Sequence, residues 1–149
     1  MAETVKIVGY FRISGRLQGL LRAELEEQRA ALQAFAVSSG ATVIEQCVDY
    51  ENGSRSPLVQ LDKALGLCRF RGAMLVMPKM GPLAKDWNVL VKLYMAEVHV
   101  VALDMPTLSR EKLKELAVHA RRNDKRLPPE LRTAGAASTP AQRNPAAKG

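Results

Sequence analysis

Three residues at the end of the first predicted strand have types and spacing that suit phosphoryl transfer. Tyr10, Arg12 and Ser14 alternate along an extended segment, so their side chains fall on the same side. A guanidinium binds a phosphate through paired hydrogen bonds and stabilises charge in the transition state. A serine hydroxyl beside it can attack phosphorus and form an ester. The alternative interpretation is a polar strand end that only packs or caps locally.

Strand and helix patterns alternate along the chain and predict how these residues are positioned. Apolar runs predict strands at 5–10, 42–48, 73–77 and 98–103, and helical spacing predicts helices at 23–37, 58–70, 84–95 and from 107 or 109 to about 122. This order predicts a three-layer αβα domain over residues 1–122, with a mainly parallel sheet of four to five strands. Ligands of such sheets bind outside the carboxyl ends of the strands, where Ser14 lies.

The composition is that of a globular protein, and the sequence has no pattern typical of a membrane span or of a metal site. Hydrophobic residues make up 47% of the 149 and charged residues 25%. There is no apolar run near the roughly 20 residues of a membrane span and no secretory signal pattern. Cys47 and Cys68 are predicted to be buried free thiols in a reducing cytoplasm. His99 and His119 have no partner ligands nearby, so no metal site is predicted.

Most of the net charge of +7 lies near the C-terminus. Residues 120–149 hold seven Lys or Arg and two acidic residues, a balance of +5. Because residues 123–149 show no periodicity, they are predicted to form a disordered basic tail. Such a tail can bind phosphate backbones through counterion release, or it can be a solvated chain end.

The order of motifs resembles the resolvase/invertase family of serine recombinases across about residues 4–122. The similar segments are Tyr10-x-Arg12-x-Ser14, 25–32, 40–43, the loop at Gly53, the buried strand before Lys79, and 102–106. The resemblance implies a resolvase-like fold and DNA strand exchange through a 5′-phosphoserine at Ser14. It implies that Arg12 binds the phosphate and that Tyr10 and Gln28 shape the site. No cofactor and no small-molecule substrate are implied, and the family's active species is a tetramer built from dimers.

Several charged positions of that family are replaced in this chain. Leu58 stands where an arginine follows the family's Ser-Gly loop, and Asn52 replaces the loop serine. In the segment that begins at Lys79, Gly81 replaces an aspartate, Pro82 an arginine and Lys85 a second arginine. Each lost charge-stabilising group costs about 10²–10³ in rate. Cleavage is therefore predicted to be impaired or lost, with Lys79, Lys85 and Arg55 left as candidate phosphate-binding residues.

The C-terminal part also departs from the family, whose last helix continues into a dimer interface and a DNA-binding module. Here Pro128-Pro129 is expected to end the helix, and no sequence-reading module is recognised after it. The basic residues at its end are candidates for non-specific phosphate contacts: Arg121, Arg122, Lys125 and Arg126. Three interpretations remain open at this point. They are a recombinase catalytic domain that still acts on DNA, a non-catalytic module that binds DNA or oligomerises through the last helix, and a decayed mobile-element fragment.

Overall fold

The computed structural model describes residues 4–13, 18–50, 58–125 and 127–134. In chain order these form β1 (Lys6–Ile13), α1 (Gln18–Ser39), β2 (Thr42–Tyr50), α2 (Val59–Arg71), β3 (Met74–Met77), a 3₁₀ turn (Gly81–Lys85), α3 (Trp87–Met95), β4 (Val100–Ala102), α4 (Arg110–Arg122) and α5 (Pro129–Ala134). The strands form one parallel sheet in the order β2-β1-β3-β4. The predicted α/β class is confirmed, with four strands in the part of the chain that the structure describes.

The helices divide between the two faces of the sheet, as a three-layer arrangement requires. Leu32 and Ala36 of α1 pack against one face, where β1 contributes Ile7 and Phe11. The other face, with Tyr10 among its residues, is covered by α2, α3 and α4. Alternation along β1 therefore sends successive side chains into two separate cores.

The contact between β1 and α1 depends on a glycine. A Cβ atom built on Gly9 would lie 2.5 Å from the Cδ2 atom of Leu32, which is fully buried. The missing side chain lets α1 approach the middle of β1 closely. Gly9 therefore allows α1 to lie closer to the sheet than a larger residue would permit.

Local signals fix where the helices begin and end. Gly40 and Gly72 both adopt φ +66, the left-handed conformation that ends a helix, and lie after α1 and α2. Asp86 and Ser109 cap the starts of α3 and α4, because their side chains accept hydrogen bonds from the backbone N–H of Asn88 and Lys112.

Two segments differ from the sequence-based expectations. The helix predicted at 84–95 begins only at Trp87, since Gly81–Lys85 forms a 3₁₀ turn and Asp86 then caps α3. The prediction of disorder from residue 123 is wrong for Pro129–Ala134, which forms α5. A proline suits the first position of a helix, and the Nε of Arg121 donates to the carbonyl of Leu131 at 2.8 Å. Residues 135–149 lie outside the described residues.

None of the helices in the described ranges combines the length and apolar character that a membrane crossing needs.

Candidate functional site

Asp49 ties together three elements at the carboxyl end of the sheet. The hydroxyl of Tyr10 on β1 donates to Oδ2 of this buried carboxylate at 2.8 Å. The backbone N–H groups of Gln60 and Leu61, in the first turn of α2, donate to Oδ1 and Oδ2 at 3.1 and 3.0 Å. The carboxylate thereby satisfies a buried hydroxyl and two helix N–H groups that have no partner within the helix. The ends of β1 and β2 and the start of α2 are thus fixed relative to one another.

The surroundings of Tyr10 keep its hydroxyl protonated. Burial raises the pKa of Tyr10 above its ordinary value, and the hydrogen bond to Asp49 and the charge of Asp49 raise it further. The Arg12 guanidinium opposes this rise in the Tyr10 pKa, so the two side chains interact electrostatically. Tyr10 is therefore a neutral hydrogen-bond donor that positions Asp49, and it is not a base or a nucleophile at neutral pH.

Arg12 lies next to this network, near the end of β1 and two residues before Ser14, the predicted nucleophile. In the parallel register of β1 and β2, Arg12 is paired with Asp49 and its side chain is half-buried. It follows Tyr10 by two residues, so both belong to the sheet face covered by α2. Ser14 lies outside the described residues, and its predicted place beside Arg12 stays a prediction.

Gln28, the other residue predicted to shape the site, lies on α1 and therefore over the opposite face of the sheet. Its side chain is 1% exposed, one helical turn before Leu32. Neither amide atom of Gln28 has a hydrogen-bond partner among the described residues. A fully buried amide without a hydrogen-bond partner is rare in folded proteins. The structure thus places Gln28 at the α1 side of β1, apart from Tyr10 and Asp49.

The strand order creates a crevice between β1 and β3. The chain passes from β1 outward to β2 and then back to β3 on the other side of β1, which is a topological switch point. Lys79 follows the end of β3 at this crevice, and its Nζ lies 2.7 Å from Oε1 of Glu27 on α1. The hydrogen bond to Glu27 raises the pKa of Lys79, so the ammonium stays charged but already has an anionic partner.

The turn after β3 is held by an acidic residue that follows β4. The backbone N–H groups of Met80 and Gly81 each donate to Asp104, at 2.8 Å. A Cβ atom on Gly81 would lie 3.2 Å from Oδ2 of Asp104. An aspartate at position 81 would therefore bring a second carboxylate against Asp104, so the glycine suits this arrangement of the turn.

The basic residues predicted at the end of the last helix do not all face solvent freely. Arg121 lies over the ring of Trp87, 5.3 Å from its centroid, and also binds the carbonyl of Leu131. Arg122 and Lys125 are exposed, as is Lys85 in the 3₁₀ turn. Two further candidates, Arg55 and Arg126, lie outside the described residues. The structure therefore brings no further predicted basic side chain into the network of Tyr10, Arg12 and Asp49 within its described part.

The cysteines and acidic residues offer no second site in the described ranges. Cys47 and Cys68 are buried, and burial raises the pKa of both thiols, that of Cys68 to about 12. Thiols with such pKa values are poor nucleophiles at neutral pH. Among the residues described, no three His, Cys, Asp or Glu side chains are grouped as a metal site.

Several solved structures share this architecture. A resolvase-family site-specific recombinase from Streptococcus pneumoniae superposes with a TM-score of 0.62 and 16% identity, over 83% of this chain and 90% of that one. The catalytic domain of ISC1926 TnpA, an IS607-like serine recombinase, gives 0.53 and 19% over 78% and 80%. The catalytic domain of TP901-1 integrase gives 0.54 and 16% over 80% and 94%. The chain has the fold of a serine recombinase catalytic domain.

These similarities confirm the predicted resolvase-like fold and concern the fold alone. No protein-family model matches the sequence, and no curated protein matches it significantly. The recombinase fold explains why Tyr10, Arg12 and Lys79 lie at the carboxyl ends of β1 and β3, since all three follow from the parallel sheet. The similarity in fold does not assign a role to these three residues in this chain.

Sequence reasoning missed the two acidic residues that organise this end of the sheet. Asp49 has a signal in the sequence, because it ends an apolar strand directly before a polar loop. Its pairing in register with Arg12 follows once β1 and β2 are aligned. Glu27 has no such signal, since one acid among several on an exposed helix face does not reveal a lysine 52 residues away.

Proposed function

We propose that this chain is a recombinase-derived domain that binds DNA phosphates without sequence specificity and cuts DNA at Ser14 very slowly or not at all. The exposed side chains of Lys85, Arg122 and Lys125 support the phosphate binding. The observation that carries the impaired cleavage is the ion pair between Lys79 and Glu27, 2.7 Å apart at the mouth of the crevice. A lysine held by a carboxylate contributes little net positive charge to a phosphate beside it. The similarity in fold to DNA recombinases supplies the substrate class.

Cleavage of a DNA strand at Ser14 would require nucleophilic attack on phosphorus and several cations around the phosphate. The Ser14 oxygen would form a bond to phosphorus while the bond from phosphorus to the 3′ oxygen breaks, and the serine proton would pass to the departing 3′ oxygen. The phosphate gains charge on its equatorial oxygens, which several cations must stabilise. Arg12, half-buried and in register with Asp49, is the residue to which we assign one such contact. Positions 81 and 82 supply no cation, because they are glycine and proline.

A covalent-adduct assay tests the loss of cleavage. The full chain and a Ser14→Ala variant are incubated with supercoiled and nicked duplex DNA, stopped with detergent, and examined for protein-linked DNA that protease releases. We expect no Ser14-dependent adduct within hours, since about 10² or more in rate is lost for each missing cation. A Ser14-dependent adduct that forms within minutes would overturn the proposal of an impaired site.

Releasing Lys79 from its acidic partner is expected to strengthen DNA binding. In a Glu27→Gln variant the Lys79 ammonium becomes available for a phosphate. We expect duplex affinity to rise about threefold in 50 mM salt, and the slope of log affinity against log salt to steepen by about one. Fluorescence anisotropy with a labelled duplex of arbitrary sequence, titrated at several salt concentrations, measures both quantities.

Glu115→Gln is the matched control, because Glu115 is an exposed glutamate of α4 that has no ion pair within the described residues. It removes the same charge, so any general effect of net charge appears equally in both variants. Equal affinity changes in the two variants would show that Lys79 does not contact DNA.

Self-association through the last helix stays a prediction and is not the function that the contacts favour. Leu113 and Ala120 of α4 are buried in the domain's own core. The outward face of α4 is mostly charged, with Glu111, Lys114 and Arg122 exposed. Light scattering of the full chain as a function of concentration measures the oligomeric state directly.

A further inference from the structure

An exposed aromatic ring lies among basic side chains at the amino end of the sheet, away from the strand ends described above. We call the group of Lys6, Arg69, Phe70 and Arg71 the Phe70 patch. Phe70 is 84% exposed. Its ring contributes little to the packing of its own domain and is available for contact with another molecule.

The geometry of α2 and β1 brings the members of the patch together. Arg69, Phe70 and Arg71 form the last residues of α2, which ends at Gly72 in the left-handed conformation. The Nζ of Lys6 lies 3.4 Å from the carbonyl oxygen of Arg71. Since Ile7 of β1 is in register with Met74 of β3, the start of β1 runs beside the end of α2.

The guanidinium groups of the patch are available to a ligand. Arg69 and Arg71 are exposed, and within residues 4–13, 18–50, 58–125 and 127–134 neither side chain has an ion pair or hydrogen bond. This contrasts with Lys63, Lys79 and Lys92, each of which lies within 3.4 Å of a carboxylate oxygen. The patch therefore has positive charge that the domain itself does not neutralise.

We propose that the Phe70 patch binds single-stranded nucleic acid, with a base stacked on Phe70 and the flanking phosphates contacted by Arg69, Arg71 and Lys6. An exposed ring between cations is the arrangement by which proteins hold unpaired strands. Duplex bases are already stacked on each other and do not offer a face to a side chain on a convex surface. The site is independent of Ser14 and of the Lys79 contact, because it lies at the opposite end of the sheet.

A second copy of the chain fits this surface less well. A two-fold contact would place the Arg69, Arg71 and Lys6 charges against their own equivalents. The apolar part of the patch is only Phe70, which is small for a stable protein interface. Charge and ring together favour a polyanion with exposed aromatic faces.

Binding of a labelled 15-nucleotide oligothymidine and a labelled 15-base-pair duplex to the full chain tests the inference. We expect Phe70→Ala to weaken oligothymidine binding about 10-fold and duplex binding less than twofold. Phe70→Trp is expected to restore or strengthen oligothymidine binding, since it keeps the stacking surface. Val37→Ala is the matched control, because Val37 is 80% exposed at the end of α1 and lies outside the patch.

The outcomes separate this inference from the proposed function. Unchanged oligothymidine binding in Phe70→Ala, or equal losses on both ligands, would overturn stacking on Phe70. A dimer seen by light scattering that Phe70→Ala abolishes, without oligothymidine binding by the parent chain, would assign the patch to a protein interface instead. The Glu27→Gln and Ser14→Ala results do not depend on the patch, so either proposal can fail alone. Residues 135–149 are the same in every variant and cannot produce a difference between them.

Discussion

Asp49→Ala is expected to lower the free energy of unfolding by about 3 kcal/mol. The change leaves the buried hydroxyl of Tyr10 without its acceptor, which alone costs about 1–3 kcal/mol. It also removes the carboxylate that accepts from the N–H groups of Gln60 and Leu61, and loss of such a cap costs about 1 kcal/mol. Urea unfolding at pH 7, followed by circular dichroism, measures the loss.

Two further variants show whether the effect comes from this network. Asp49→Asn keeps an acceptor for Tyr10 but loses the charge, and it is expected to cost less than half as much. Asp62→Ala removes an exposed aspartate of α2 that lies 2.9 Å from Lys92, and it should change stability by no more than about 0.5 kcal/mol. If Asp49→Ala and Asp62→Ala were equally mild, the carboxylate of Asp49 would not be what holds β1, β2 and α2 together.

The elements of the fold were predictable because each has a strong local signal. The apolar run at 73–77 is buried on both faces, as a central parallel strand requires, and became β3. Gly40 and Gly72 end helices where the sequence loses its helical spacing. The helix ending near residue 122 was also predicted and ends at Arg122. Such signals depend on neighbours in the sequence, so a single chain reveals them.

The contacts of the site were less predictable because they join residues far apart in the chain. Tyr10 and Asp49 are separated by 39 residues, and Glu27 and Lys79 by 52. Lys79 was predicted as a phosphate-binding residue from the resemblance to serine recombinases, but its charge is shared with a glutamate that only the packing of α1 brings near. Position along the strands placed Tyr10, Arg12 and Lys79 at the carboxyl end of the sheet, and packing decided which charges there are paired.

The C-terminal segment failed as a prediction for a related reason. Composition without periodicity favours disorder, yet residues 127–134 fold back on the domain. The Nε of Arg121 at the end of α4 donates to the carbonyl of Leu131 and so attaches this segment. The end of α4 is in turn held by α3, because Nε1 of Trp87 donates to Asp124 at 2.7 Å. Nothing in the sequence around Trp87, at the start of α3, indicated that this residue would contact the end of α4.

Trp87→Ala is therefore expected to release this segment and to cost about 3 kcal/mol of stability. The variant loses the packing of a partly buried indole, its hydrogen bond to Asp124, and the ring beneath the Arg121 guanidinium. Hydrogen exchange followed by mass spectrometry should show residues 127–134 exchanging much faster, while β1 and β3 change only in proportion to the global loss.

Trp87→Phe separates the two contributions, because it keeps a ring for Arg121 and removes only the N–H that binds Asp124. It should cost about 1–2 kcal/mol, and exchange in residues 127–134 should lie between that of the parent chain and that of Trp87→Ala. Exchange in this segment that is already complete in the parent chain, or that no variant alters, would mean that Trp87 does not anchor it. An intermediate result for Trp87→Phe would instead show that α3 holds the end of α4, and with it α5, through both the ring and its hydrogen bond.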